Sequence, residues 1–176
     1  MMWLSSSAIA RLRDVLRDRG APASRAIPVG SSDLPVELAQ AVAFAEYGPL
    51  CEAMFLMMSA DADVSPQERD VLRGALRTLS DESVRSEHMD AMLEQAERDV
   101  AREGRARRME VVTASLRDDE GRAEVAFVLA AAIVFGDGSV GDEEHQTLCD
   151  LAEQLGIDDV KAGALLDAVE ADLGIK

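Results

Sequence analysis

Aromatic residues are nearly absent from this chain: four Phe, one Tyr and one Trp make up 3% of 176 residues. That scarcity argues against a sandwich or barrel packed on aromatic and β-branched side chains. It leaves Ala, Leu, Val and Met, within an apolar share of 48%, to build the core, and those residues suit closely packed helices. Cysteine is scarce as well: Cys51 and Cys149 form neither a disulfide framework nor a zinc knuckle, so a reducing compartment is expected. Bases are few, 18 Lys and Arg against 34 Asp and Glu, for a net charge of −16. Residues 31–176 hold 32 acids and 13 bases, which argues against nucleic acid as the main partner, because phosphate contacts need clustered Lys and Arg. The longest apolar run, Val125 to Gly136, is about twelve residues, short of the roughly 20 that cross a bilayer. No basic lead precedes an apolar stretch at the N-terminus, so no secretory signal is read there. A soluble cytoplasmic chain without a membrane span is the expectation.

What is present is a repeat. Shifting the sequence by 76 positions lays Ala60-Asp61-Ala62-Asp63-Val64-Ser65-Pro66-Gln67-Glu68 on Gly136-Asp137-Gly138-Ser139-Val140-Gly141-Asp142-Glu143-Glu144. The register continues without a gap through Leu72/Leu148 and Leu79/Leu155 to Val84/Val160, and upstream Ala53–Met58 overlays Leu129–Val134. Each copy, about 50–103 and 123–174, reads as apolar helix, acidic turn, amphipathic helix, short break and third helix. Fixed-period self-similarity of this kind sets the reading of everything else.

In chain order, Ser5–Ser7 cap a predicted helix with Ile9, Leu12, Val15 and Leu16 on one stripe and arginines on the other faces, ended by Gly20. Residues 1–34 are therefore read as a basic amphipathic helix and a Pro/Ser/Gly linker, and residues 35–176 as the helical domain. The basic helix suits either the body of its own domain or a membrane surface. Val36–Tyr47 is predicted to be a helix broken by Gly48-Pro49. Leu50–Ala60, apolar nearly all round, should be central. Ser65-Pro66-Gln67-Glu68 has the form of a capping box, and Val71, Leu72, Ala75, Leu76 and Leu79 follow at the spacing of a buried stripe. Ser80–Ser83 is expected to restart a helix carrying Val84, His88, Met89, Met92, Leu93 and Ala96, stopped by Gly104. Arg98, Arg102, Arg105, Arg107 and Arg108 form the one basic cluster of the acidic part, read as a solvated face or a dock for an acidic partner. Met109–Leu116 bridges to the second copy, Ala123–Phe135 opens it, Leu148, Leu151, Ala152 and Leu155 point inward, and Val160, Ala164, Leu165, Ala168, Val169 and Leu173 belong to the last helix. No segment shows the alternation of a strand. The fold class is all-α, a compact bundle of about eight helices with an internal pseudo-two-fold repeat.

The acidic turns are the candidate sites. Asp61, Asp63 and Ser65 set three oxygen side chains at alternate positions, as in the start of a calcium loop. An EF-hand also needs Gly at its sixth position and Glu at its twelfth, where this chain has Pro66 and Leu72, then Asp142 and Leu148, so neither turn is one. His145 beside Glu144 would suit a transition metal. Acids ahead of a helix are equally served by its N-terminal dipole and free N–H groups. No nucleophile–base pair, P-loop, zinc signature or Glu-x-x-His pair can be assembled at a recognised spacing, so an enzyme is not expected.

The motif Ala-Asp-Gly-x-(Val/Ile)-Ser-x-x-Glu between an apolar and an amphipathic helix resembles that of TerB, the tellurite-resistance protein B family, and of TerB-like modules such as the N-terminal region of some membrane-anchored J-domain cochaperones. The resemblance spans roughly Val36 to Gly174. It implies a helical bundle with internal pseudo-symmetry, a cytoplasmic role in stress response or a membrane-associated assembly with protein partners, and an acidic surface for divalent cations: calcium, magnesium, manganese or zinc. Position by position, the metal residues it implies are Asp61, Asp63 and Glu68 in the first copy, and Asp137 and Glu144 in the second. The first copy has Ala62 where the motif favours Gly, and the second has Ser139 and Gly141 in place of the second acid and the cap serine. A metal-independent interaction scaffold, with the acids acting only as caps, is the alternative.

Overall fold

A computed structural model of the chain describes residues 36–59, 64–80, 84–135 and 142–173. Among them are seven α-helices and no strand: α1 Val36–Met58, α2 Pro66–Leu79, α3 Ser86–Glu103, α4 Arg105–Arg117, α5 Glu120–Phe135, α6 Asp142–Leu155 and α7 Asp159–Leu173. The expected N-terminal helix lies outside the described residues.

The repeat is visible in the helix boundaries themselves. Advanced by 76, α2 (Pro66–Leu79) falls end to end on α6 (Asp142–Leu155). Within the first copy α1, α2 and α3 pack on one another, and within the second α5, α6 and α7 do the same. The two apolar helices α1 and α5 join the copies, and α4 sits between them against α1, α3, α5 and α6. The core follows from this: Leu50, Met54 and Leu56 of α1 meet Val125, Phe127 and Leu129 of α5 in one buried cluster with Leu72, Leu76, Leu148 and Leu155.

The expected break at Gly48-Pro49 does not occur; α1 runs through Pro49. Proline has no N–H to give the carbonyl four residues back and normally kinks or ends a helix. Here Arg122 of α5 supplies the donor, its Nη2 reaching Ala45 O at 3.1 Å and Glu46 O at 2.7 Å. Uninterrupted, the stretch Gln40–Met58 has 19 residues and a mean hydropathy of 1.2, enough by length and composition to cross a membrane. In this fold the helix packs against four others.

Local chemistry fixes the other boundaries. Gly104, at φ +84°, ends α3, and its carbonyl accepts from Arg108 N to open α4 four residues before the expected start. The α3 start is corrected from Ser80–Ser83 to Ser86. Ser80 is absorbed into the end of α2, its N–H on Leu76 O and its hydroxyl on Arg77 O. Asp119 caps α5, accepting from Arg122 N at 3.1 Å, and so extends that helix back to Glu120. Gly156, at φ +73°, closes α6 with Gly156 N on Glu153 O and Ile157 N on Ala152 O. That is a Schellman closure, with Ile157 buried beneath it. Asp158 then caps α7 by accepting from Lys161 N.

This register of α7 corrects a second expectation. Val84 is 3% exposed but its counterpart Val160 is 84% exposed, and Ala164 and Ala168 also face outward. Among the described helices α7 packs chiefly on α5 and α6, so only a narrow stripe of Ala162, Leu165, Leu166 and Val169 is covered.

Candidate functional site

Of the five residues singled out as metal ligands, Glu68 is the one whose side chain lies within the described residues. It occupies the third position of α2, and its Oε2 accepts from Ser65 N at 2.7 Å while Ser65 Oγ accepts from Glu68 N at 3.3 Å. This is the expected capping box, with Pro66 in the first turn. Val64 just before it is buried and anchors the entry to the helix. The cap occupies one carboxylate oxygen of Glu68. Asp61, Asp63 and Asp137 lie outside the described residues, as does the Glu144 side chain, although Glu144 falls in the first turn of α6. Among the described residues, no three His, Cys, Asp or Glu gather into a metal-holding group.

The donor set suits hard cations. Carboxylates and a hydroxyl match calcium, magnesium or manganese. His88 is buried in α3 with its Nδ1 lacking a hydrogen-bond partner, and His145 is exposed on α6. Cys51 is fully buried, and burial, reinforced by the Glu52 charge, pushes its thiol up to about 12, so it offers no thiolate at neutral pH. Cys149 is exposed on α6.

The basic cluster divides into an exposed part and a part that ties two helices together. Arg105 Nε donates to Leu56 O at 2.9 Å, satisfying one of the four open carbonyls at the end of α1. Arg108 grips Glu52 of α1 with Nε and Nη2 at 2.7 and 2.9 Å and Glu103 with Nη1 at 3.0 Å. The Glu52 hydrogen bonds, more than any other partner, raise the Arg108 pKa. Arg102 pairs with Asp99 and Glu103, Arg107 with Glu110, and Arg98 with Glu94. Arg98, Arg102 and Arg107 are exposed and form a solvated face, whereas Arg105 and Arg108 tie α4 to α1. Sequence spacing held no sign of this division, since both partners lie about fifty residues upstream.

A groove of about 330 Å³ opens between the end of α1, α4 and α6. Met57, Met109 and Leu151 form its apolar part, and Arg105, Glu110 and Asp150 its charged part. Asp150 accepts from Gln146 Nε2 at 2.8 Å, and Glu110 is held by Arg107.

Two three-helix copies, each with an acidic turn ahead of its second helix, define the class: an all-α repeat module. The family model described as tellurite resistance protein TerB matches residues 50–166. That match takes in both turns and about two thirds of the chain, and the chain belongs to the TerB family. A comparison with curated proteins and one with solved structures each found no match.

Proposed function

We propose that this chain is a non-enzymatic TerB-family module of the cytoplasm that holds divalent cations weakly at its paired acidic turns and docks onto protein partners. Its setting would be the response to tellurite or related stress, in a complex that includes membrane-associated proteins. The observation carrying this reading is the identical framing of the two turns. Each follows one of the two central apolar helices, and each precedes α2 or α6, whose bounds coincide after the 76-residue shift. A helix N-terminus there already favours anionic side chains, so Asp61, Asp63 and Glu68 in one copy, and Asp137 and Glu144 in the other, are concentrated where carboxylates are cheap to place. Calcium or magnesium is preferred over zinc because the donors are oxygens. Titration calorimetry of the full chain with calcium, magnesium, manganese and zinc tests the ion site. A saturable heat abolished by Asp61→Ala combined with Asp137→Ala supports it, and a heat unchanged in that variant places any ion elsewhere.

The second reading, a metal-independent scaffold, is favoured by the Ser65–Glu68 capping box, which gives Glu68 a structural task without a metal. It predicts partner capture that persists in chelator. Arg105 is a poor probe of that reading, since its loss frees the Leu56 carbonyl; Arg107→Glu, on the exposed side of the cluster, is the cleaner variant.

A further inference from the structure

The groove between α4 and α6 carries an inference about the chain's own N-terminus. Charge decides which copy would receive it. Residues 123–174 hold twelve acids and one base, Lys161, whereas residues 50–103 hold thirteen acids and six bases. Lys161 is already committed to Glu120 and Glu124 of α5. Helix α6, one wall of the groove, has five acids and no base. In the first copy the arginines answer the local acids: Arg69 with Glu97, and Arg73 with Asp70 and Asp90. The excess negative charge is therefore concentrated on the second copy. The segment of opposite sign is residues 1–30, with five Arg and two Asp.

Shape and reach agree with this. The apolar part of the groove includes two thioethers, Met57 and Met109, which adapt to large side chains. The N-terminal segment offers Trp3, Leu4, Ile9, Leu12, Val15 and Leu16. Met57 lies 21 residues beyond Val36 on the same helix, so about 32 Å separates the start of α1 from the groove. Residues 20–35, Pro- and Ser-rich, extend to about 53 Å and can cover that distance.

We propose that the N-terminal segment, residues 3–19, seats its apolar residues in the α4–α6 groove of its own chain, with Arg11, Arg13 and Arg17 against the acids of α6. The groove is thus an interaction surface for a basic amphipathic helix, occupied in cis. The inference does not depend on ion binding at the turns.

Trp3 is the one tryptophan, and of the two thiols Cys149 is exposed on α6 while Cys51 is buried, so an acceptor dye attaches selectively beside the groove. In the full-length protein, energy transfer from Trp3 to the dye on Cys149 should be strong and independent of protein concentration. Ala106→Arg, at an exposed groove position, should remove it and Ala106→Ser should keep it, with far-UV circular dichroism unchanged in both. Asp150→Lys, also exposed on the groove wall, serves as the second variant if Ala106→Arg does not fold, and should act the same way. Absent transfer, or transfer indifferent to both Ala106→Arg and Asp150→Lys, overturns the proposal. Transfer that rises with concentration also overturns it, because the occupant is then the segment of a second copy.

Discussion

Replacing Arg122 by alanine should destabilise the protein because of a proline 73 residues upstream. Pro49 sits inside α1 and leaves Ala45 O without its helical donor. Arg122 Nη2 donates to that carbonyl at 3.1 Å and to Glu46 O at 2.7 Å. Hydrogen bonds from a charged group contribute about 1.5–3 kcal/mol each when buried. These two are partly solvated, so a combined loss of about 1.5–2 kcal/mol is the expectation. For a chain of this size that lowers Tm by about 3–8 °C. The informative comparison is a cycle with Pro49→Ala, which restores an N–H opposite Ala45 O. In that background Arg122→Ala should cost about half as much, a coupling of about 0.5–1 kcal/mol between positions on different helices. Urea unfolding of the four proteins, followed by far-UV circular dichroism, gives the coupling directly. Equal costs in both backgrounds, within about 0.3 kcal/mol, would refute the idea that Arg122 replaces the donor that Pro49 lacks.

Other perturbations follow from single geometries. Gly104→Ala should cost about 1–3 kcal/mol from backbone strain: Gly104 has φ +84° and ψ 150°, and an added Cβ would meet nothing within 4 Å. The measurement is a lower urea midpoint with an unchanged m-value. Ser65→Ala should cost about 1 kcal/mol through the lost cap. Glu68→Gln, which keeps an acceptor for Ser65 N, should cost less, and calorimetric melting ranks the two. Burial raises the Glu46 carboxyl pKa; Arg122 lowers it and Asp119 raises it further. A carboxyl whose folded pKa is raised contributes stability below its unfolded pKa and loses it as pH rises through the folded one. Glu46→Gln should therefore gain on the native protein as pH rises above the range of an unfolded carboxyl, and a pH-independent difference between them would contradict this.

The repeat was legible because its signal is redundant. Leu72/Leu148 and Leu79/Leu155 recur at one offset, and all four are buried, so periodicity and self-similarity pointed to the same helices. The Ser65–Glu68 cap and the Gly104 stop were legible because each depends on residues within one turn. The errors arose where distant partners decide. Gly48-Pro49 reads as a break until Arg122 is brought across from α5. Arg105 and Arg108 of α4 read as surface until Leu56 O and Glu52 are placed beside them. Val160 matches Val84 in sequence, but burial also requires a neighbouring element to cover it, and no local pattern encodes that. The turns were legible as acidic and as repeated. Whether Asp61, Asp63 and Asp137 coordinate an ion depends on the spatial convergence of oxygens, which linear spacing does not specify.

The proposed ion site can be tested most directly by the melting temperature of the full-length protein in chelator and at a cation concentration about 100-fold above the calorimetric Kd. Binding to the folded state alone would add about 2.7 kcal/mol, raising Tm by about 5–11 °C. The wild type should show that rise with calcium or magnesium, each of Asp61→Ala and Asp137→Ala should show less, and the double variant none. The same Tm for the wild type in chelator and in saturating cation, or an undiminished rise in the double variant, would contradict cation binding at the paired turns.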